Sequence, residues 1–260
     1  MKLKQTSLKG QKNEGGNHLG AAGIFVGLFA AYSLLTDVSS TLDPFLFPGL
    51  LKVGKALINS APLLFKGFIS SLLLLLPALL VSFVAGIGAG SFIGLNKRAR
   101  DLLMPLFRAL NPIPSTMLIP YAIAILPTFR VASIAIIAIG VFWPVVRNTV
   151  NGITYLEPRW IDNARCLNIR GPKLLFKIIL PGAMPQIFTG IESGLILSFI
   201  ILTVAEIFGA RAGLGYFVQY YADFAEYDRV MAGMFVLSLT VVVIMFIFDR
   251  VRRRVLPWTN

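Results

Sequence analysis

Long apolar runs that carry almost no charge decide most of what this chain can fold into. A bilayer core about 30 Å thick is crossed by about 20 mostly apolar residues in a helix. In hydrocarbon each backbone polar group must find its partner inside the protein, so such runs become helices rather than open sheet. Six windows reach that length: 19–37, 62–90 (with Pro77), 102–127 (interrupted by prolines), 131–152, 182–208 and 230–248. Only 14% of the 260 residues are charged, against about a quarter in soluble domains. The expectation is an all-α integral membrane protein with about six transmembrane helices.

The basic residues set the orientation. With the N-terminus in the cytoplasm, 18 of the 24 Lys and Arg fall inside, and Lys52, Lys55, Lys66, Arg130, Arg211 and Arg229 fall outside. Asp223, Glu226 and Asp228 share one external loop. Both termini are therefore expected in the cytoplasm. The net charge of +12 is a positive-inside signature, and nucleic acid is excluded as its cause. One cysteine (Cys166) and one histidine (His18) leave no disulfide framework and no metal site. The first window follows a long polar tail and precedes further spans, which argues for an uncleaved span over a signal peptide. The chain divides into a flexible cytoplasmic tail (1–18), the first span with its external connection (19–59), and a core (60–258).

The segment 153–181 does not belong in the membrane. Glu157-Pro158 starts a helix. Trp160, Ile161, Ala164 and Leu167 recur on one face; Arg159, Asp162, Asn163 and Arg165 occupy the other. Arg170-Gly171-Pro172 stops it, and a second short helix is expected over 173–180, ended by Pro181. The patterning fits two uses equally: an interfacial helix on lipid headgroups, or a docking knob for a cytoplasmic partner.

The run 162–181 resembles the loop signature of permease subunits of ATP-binding-cassette importers. That pattern reads acidic residue, two alanines, three residues, Gly, nine residues, Ile, one residue, Leu-Pro. Here Asp162, Asn163, Ala164, Asn168, Ile178, Leu180 and Pro181 fill it. Asn163 stands for an alanine and Asn168 for the glycine; Asn tolerates the left-handed conformation, and Gly171 offers a second bend. "DLLMPLFRALNPIPSTMLIPYAIAILPTF" (101–129), "VFWPVVRNTVNGI" (141–153), "LPGAMPQIFTGIESGL", "TVAEIFGARAGLGYFV" and "DRVRRRVLPW" are similar to the same family, most of all to its nitrate, sulfonate and taurine branch. The resemblance covers about residues 60–258 and implies the type I importer permease fold. It also implies a homodimer or pseudodimer of this subunit, two ATPase subunits docked on 158–172 and an extracytoplasmic solute-binding protein, in the bacterial inner membrane. The coupling residues it implies are Arg159, Asp162, Asn163, Ala164, Arg165, Asn168 and Gly171, within a coupling loop spanning 157–181. The chain has no phosphate-binding G-x-x-x-x-G-K-[ST], so ATP and Mg²⁺ belong to the partner chains and no cofactor is expected here. "GIGAGSFIGL" (86–95) reads as close helix packing through small residues.

Charges within spans default to function. Glu192 lies eleven residues past Pro181, about 16 Å along a helix. Together with Ser193 and the apolar walls Phe188 and Phe199 it is a candidate for the translocation pathway; the alternative is a locally paired glutamate. Two unneutralised carboxylates would repel an anion, so Glu192 leans the solute toward a neutral, zwitterionic or cationic heterocycle. Asn111 and Pro114, in "NPIP", mark a kink beside the pathway, and Arg147 is read as snorkelling to the cytoplasmic interface. Glu206, Gly213 and Gly215 form the outer turn, with Glu206 ordering backbone N–H groups. A membrane enzyme would need a clustered metal site or an activated nucleophile, and a stand-alone secondary transporter commonly shows internal repeats; neither is visible in the sequence.

Overall fold

The computed structural model describes residues 27, 30–38, 42–110 and 113–259. The expected tail, most of the first window and Asn111 lie outside the described residues. The described elements are helical: α1 (Leu50–Asn59), α2 (Ala61–Leu95), α3 (Lys97–Leu110), α4 (Ile119–Ile125), α5 (Phe129–Thr154), α6 (Pro158–Cys166), α7 (Pro172–Gly209), α8 (Leu214–Asp223) and α9 (Tyr227–Val255). Four of them, α2, α5, α7 and α9, are long and apolar enough to cross a membrane, and α3 with Ser115–Ile125 makes a fifth if that bent pair is one span. A helical stretch ending at Leu34–Val38 precedes them, and its Tyr32 hydroxyl donates to the Pro48 carbonyl at 2.9 Å.

The window 102–127 is broken, in line with the prolines that interrupt it: α3 and the Ser115–Ile125 segment meet at 77°. Asn96 caps α3, its Oδ1 accepting from the Arg98 and Ala99 N–H groups at 3.0 and 3.3 Å. The two prolines of "NPIP" then bias the residues before them out of the helical region. One expectation needs correction: Pro181 ends nothing. α7 runs unbroken from Pro172 through a π-turn at Leu175–Ile179 to Gly209. A proline ring inside a helix clashes with the carbonyl four residues back and removes a donor. The wide π-turn immediately upstream shifts the register and absorbs both costs.

α5 is the middle of the molecule, with α2 on one side and α7 on the other. On α2, Gly86, Gly90 and Gly94 recur every fourth residue and take in Val145, Thr149 and Ile153 of α5; a Cβ on Gly90 would stand 2.6 Å from the Thr149 Cβ. On the opposite side Gly152 of α5 meets Ala183 and Gln186, while Gly190 and Gly194 of α7 meet Asn148 and Val141. Small residues let backbones approach where lipid and side chain are equally apolar, and van der Waals contact then holds the helices together. Around these seams Leu75, Ala78, Ile137, Val141, Val145 and Leu202 form the buried core. α9 lies at the margin and leaves Val242, Phe246 and Ile247 uncovered, as a lipid-facing helix does.

Candidate functional site

Three places along α7 hold the sequence candidates. The first is the corner at its start. α6 ends in a Schellman arrangement: the Ile169 N–H donates to Ala164 O and the Asn168 N–H to Arg165 O, each at 2.9 Å. The residue between must be left-handed, and Asn168 is, at φ 57°. Gly171, at φ 58°, makes the second bend before α7 begins, so both residues turn the chain. Ala164 is buried, and the Trp160 ring lies against Gly182 of α7, where a Cβ would come within 3.2 Å of it. α6 is thus seated on the first turns of α7. Its other face is open: Arg159, Asp162, Asn163 and Arg165 are exposed, with surface ion pairs Arg159–Glu157 at 3.2 Å and Arg165–Asp162 at 3.6 Å. Leu167, expected on the packed face, is 75% exposed.

The second place is a cleft of about 560 Å³ between α5 and α7. Arg147, Asn148, Asn151 and Ser193 give it a polar wall, and Ile196 and Ile200 continue it as an apolar one. On α7 the uncovered residues recur at helical spacing: Gln186, Thr189, Ser193, Ile196 and Ile200. Of the expected pathway residues, Ser193 lines this cleft. Phe188 and Phe199 do not, since both are buried in the core, Phe188 with its ring 5.8 Å from that of Phe248. Their apolar bulk fills the space between helices. Pro114 stands at the exposed break between α3 and the 3₁₀ turn Ser115–Leu118. That turn lies against the middle of α5, the Ser115 side chain close to Gly140.

Glu192 points elsewhere. Its Oε2 accepts from Arg252 Nη1 of α9 at 2.8 Å. The carboxylate charge is matched by a guanidinium, so the lean toward a neutral or cationic solute loses its basis. Arg252 is sixty residues away in sequence, and nothing in the local pattern points to it.

The third place is the far end of α7. Glu206 is 1% exposed. Its Oε1 accepts from the Ser71 hydroxyl of α2 at 2.6 Å and its Oε2 from the Gly215 N–H at 2.7 Å; Ser71 in turn accepts from the Leu214 N–H at 3.0 Å. One carboxylate therefore pins α2, α7 and the start of α8 together. Gly213 passes so close that any Cβ would run into the Glu206 carboxylate, and a Cβ on Gly215 would stand 2.9 Å from the Thr203 carbonyl. Beside this turn a cavity of about 270 Å³ is bordered by Lys66, Arg211, Tyr216 and Tyr220. Among the described residues no cluster of His, Cys, Asp or Glu is arranged to hold a metal ion.

The family described as "Binding-protein-dependent transport system inner membrane component" matches residues 82–260. SsuC of Bacillus subtilis (strain 168), named for aliphatic sulfonates transport, is 30% identical over 184 residues, which cover 69% of this chain and 67% of that protein. The taurine transport system permease protein TauC of Escherichia coli (strain K12) is 29% identical, over 75% of this chain and 71% of its own length. A solved structure described as inward facing conformations of the MetNI methionine ABC transporter superposes with a TM-score of 0.65. It covers 76% of this chain and 98% of that one at 20% identity, and so speaks to the fold.

Proposed function

Because the chain belongs to the family of binding-protein-dependent transport system inner membrane components and is a non-catalytic permease subunit of an ATP-binding-cassette importer, we infer that two copies close their α5–α7 clefts into one translocation pathway. The observation that carries this reading is the polar stripe along the cleft. Arg147, Asn148, Asn151 and Ser193 line the cleft, and Gln186 and Thr189 continue the uncovered face of α7. Polar and ionisable groups within membrane spans face a bundle interior or water rather than lipid. A second copy across the stripe supplies that setting.

The end bearing α6 is read as cytoplasmic from the distribution of Lys and Arg. Two ATPase subunits dock on the α6 corner, over Arg159, Asp162, Asn163, Arg165 and the exposed Leu167. ATP and Mg²⁺ are held in those chains. Closure of the ATPase pair displaces α6, and α6 is seated on α7 through Trp160 and Ala164. α7 is continuous from Pro172 to Gly209, so the displacement reaches the Glu206 turn at the outer end, where a solute-binding protein delivers its load. The chain spans the bacterial cytoplasmic membrane with both termini on the cytoplasmic side. The solute is small, as are the taurine and sulfonates for which the relatives are named.

Cys166, exposed at the last residue of α6, supplies the test. A benzophenone maleimide on Cys166, irradiated in native membranes, should crosslink to a nucleotide-binding subunit identifiable by mass spectrometry. The same reagent on a cysteine introduced at Leu51, in a Cys166→Ser background, should not. Equal capture from both positions, or capture of lipid alone from Cys166, would remove the docking assignment.

A further inference from the structure

We propose that the cavity beside the Glu206 turn binds the headgroup of an anionic phospholipid. Lys66 and Arg211 hold its phosphodiester, and its acyl chains lie along an exposed apolar stripe of α2.

The cavity forms where two backbone segments touch. The Ser70 hydroxyl of α2 donates to the Ala212 carbonyl at 3.0 Å, and a Cβ on Gly67 would stand 3.1 Å from the Gly213 carbonyl. Lys66 and Arg211 adjoin these contacts in sequence, and both side chains border the cavity. Both are exposed, and among the described residues neither has a carboxylate within ion-pair distance. No acidic side chain borders the cavity. Glu206 lies behind the Gly213 backbone with its oxygens turned to Ser71 and Gly215, one charge against two. Farther along, Asp223 accepts from Gln219, and Glu226 pairs with Arg229. Of the six Lys and Arg that the charge distribution assigns to this end, two therefore meet here without a counter-ion.

The surroundings of the two cations select a lipid over a soluble anion. Tyr216 and Tyr220 border the same cavity with their rings 5.7 Å apart, and such rings settle at the headgroup level of a bilayer. From Lys66, the residues Ile69, Leu73, Leu76, Leu80 and Val84 follow every third or fourth position along α2, and all are exposed. Leu64, Leu75 and Ala78 are buried on the opposite face. The stripe runs about 27 Å at 1.5 Å per residue, more than half of a hydrocarbon core about 30 Å thick. A phospholipid has the same order, a phosphodiester followed by hydrocarbon chains. The Arg211 fork matches phosphate oxygens bidentately, and Lys66 adds a point charge on a long stem. A zwitterionic headgroup would bring its own ammonium against both cations, whereas a headgroup of net negative charge would not.

The single native cysteine makes a direct test practicable. The full chain with Cys166→Ser is assembled with its partner subunits in phosphatidylcholine nanodiscs. It carries a bimane label either on Leu73→Cys, within the stripe, or on Val242→Cys, on the uncovered side of α9. Phosphatidylglycerol or phosphatidylcholine with a nitroxide on one acyl chain is titrated in, and quenching gives the relative affinity of the two lipids at each label. Phosphatidylglycerol should be preferred at the Leu73 label and not at the Val242 label. Lys66→Gln and Arg211→Gln should each lower that preference about threefold, the effect of one unit charge about 6 Å away at the dielectric of water. Lys66→Arg should keep it. A preference at Leu73 no greater than at Val242, or one untouched by both Gln variants, overturns the proposal. In the second case, weakened stimulation of ATP hydrolysis by a solute-binding protein would assign the surface to that protein instead. Loss of the preference on adding excess glycerol phosphate would mark a site for a soluble phosphate ester and overturn the lipid assignment.

Discussion

Replacing Ser71 by alanine isolates the buried carboxylate that ties the far end of α7 to its neighbours. The side chain does two things at once: its hydroxyl donates to Glu206 Oε1 at 2.6 Å, and its oxygen accepts from the Leu214 N–H at 3.0 Å. A hydrogen bond to a charged group contributes about 1.5–3 kcal/mol, and a buried N–H left without an acceptor costs about 1–3 kcal/mol. Water cannot substitute readily, because Ser71 and Glu206 are 5% and 1% exposed. Losses within one network overlap, so a destabilisation of about 3–5 kcal/mol is expected. On the scale of about 2–4 °C per kcal/mol for chains of this size, the midpoint of thermal unfolding in detergent falls by on the order of 10 °C. The adjacent Ser70 is the internal control. It makes one half-buried hydrogen bond, to the Ala212 carbonyl at 3.0 Å, and its removal should cost only about 1 kcal/mol. Size-exclusion of fluorescently tagged protein after heating reads both variants. If Ser71→Ala loses no more than Ser70→Ala, the carboxylate does not hold α2, α7 and α8 together, and the account of the Glu206 turn is wrong.

Other consequences are as accessible to the same assay. Gly90→Leu forces a branched side chain onto Thr149, where even a Cβ has no room, and should cost about 3 kcal/mol or more as overpacking; Gly88→Leu, which meets nothing within 4 Å, should be tolerated. Ala225 sits in a left-handed cap at φ 56°, with the Glu226 N–H reaching Tyr221 O at 2.9 Å. Ala225→Gly should therefore stabilise by about 1 kcal/mol, the strain an L-residue carries in that conformation. Glu192 and Arg252 are each about a third exposed, at 35% and 36%. A double-mutant cycle with Gln at each position should return a favourable coupling of about 1 kcal/mol, near the upper end for solvent-screened pairs, whereas zero coupling would mean the carboxylate is free to face the pathway.

The parts of this architecture that were legible in sequence are those written in local spacing. Gly86, Gly90 and Gly94 announce a helix face that approaches another backbone, though not that Val145, Thr149 and Ile153 fill it. Asn168 was readable as a left-handed turn because only a few residue types adopt one cheaply. What escaped were partnerships across long sequence separation, such as Ser71 with Glu206 and Glu192 with Arg252. The assignment of Phe188 and Phe199 to the pathway failed for a related reason. Periodicity identifies an apolar face, but in a membrane protein that face is covered equally well by lipid, by another helix or by a cavity. The polar members of α5 and α7 carried the signal that the aromatics lacked. The continuity of α7 through Pro181 was hidden as well, since a π-turn leaves no residue signature that separates it from a helix stop.

The central claim, that two copies are driven together at the α6 corner by ATP, is tested most directly by one distance. Spin labels on the native Cys166 of each copy, in importer reassembled with cysteine-free partner subunits, can be measured by double electron–electron resonance with and without trapped ATP. The account predicts a defined separation between the two labels that shortens when ATP is trapped, because the docked ATPases carry α6 and the start of α7 with them. Absence of dipolar coupling between the labels, or one distance distribution shared by both states, would contradict it.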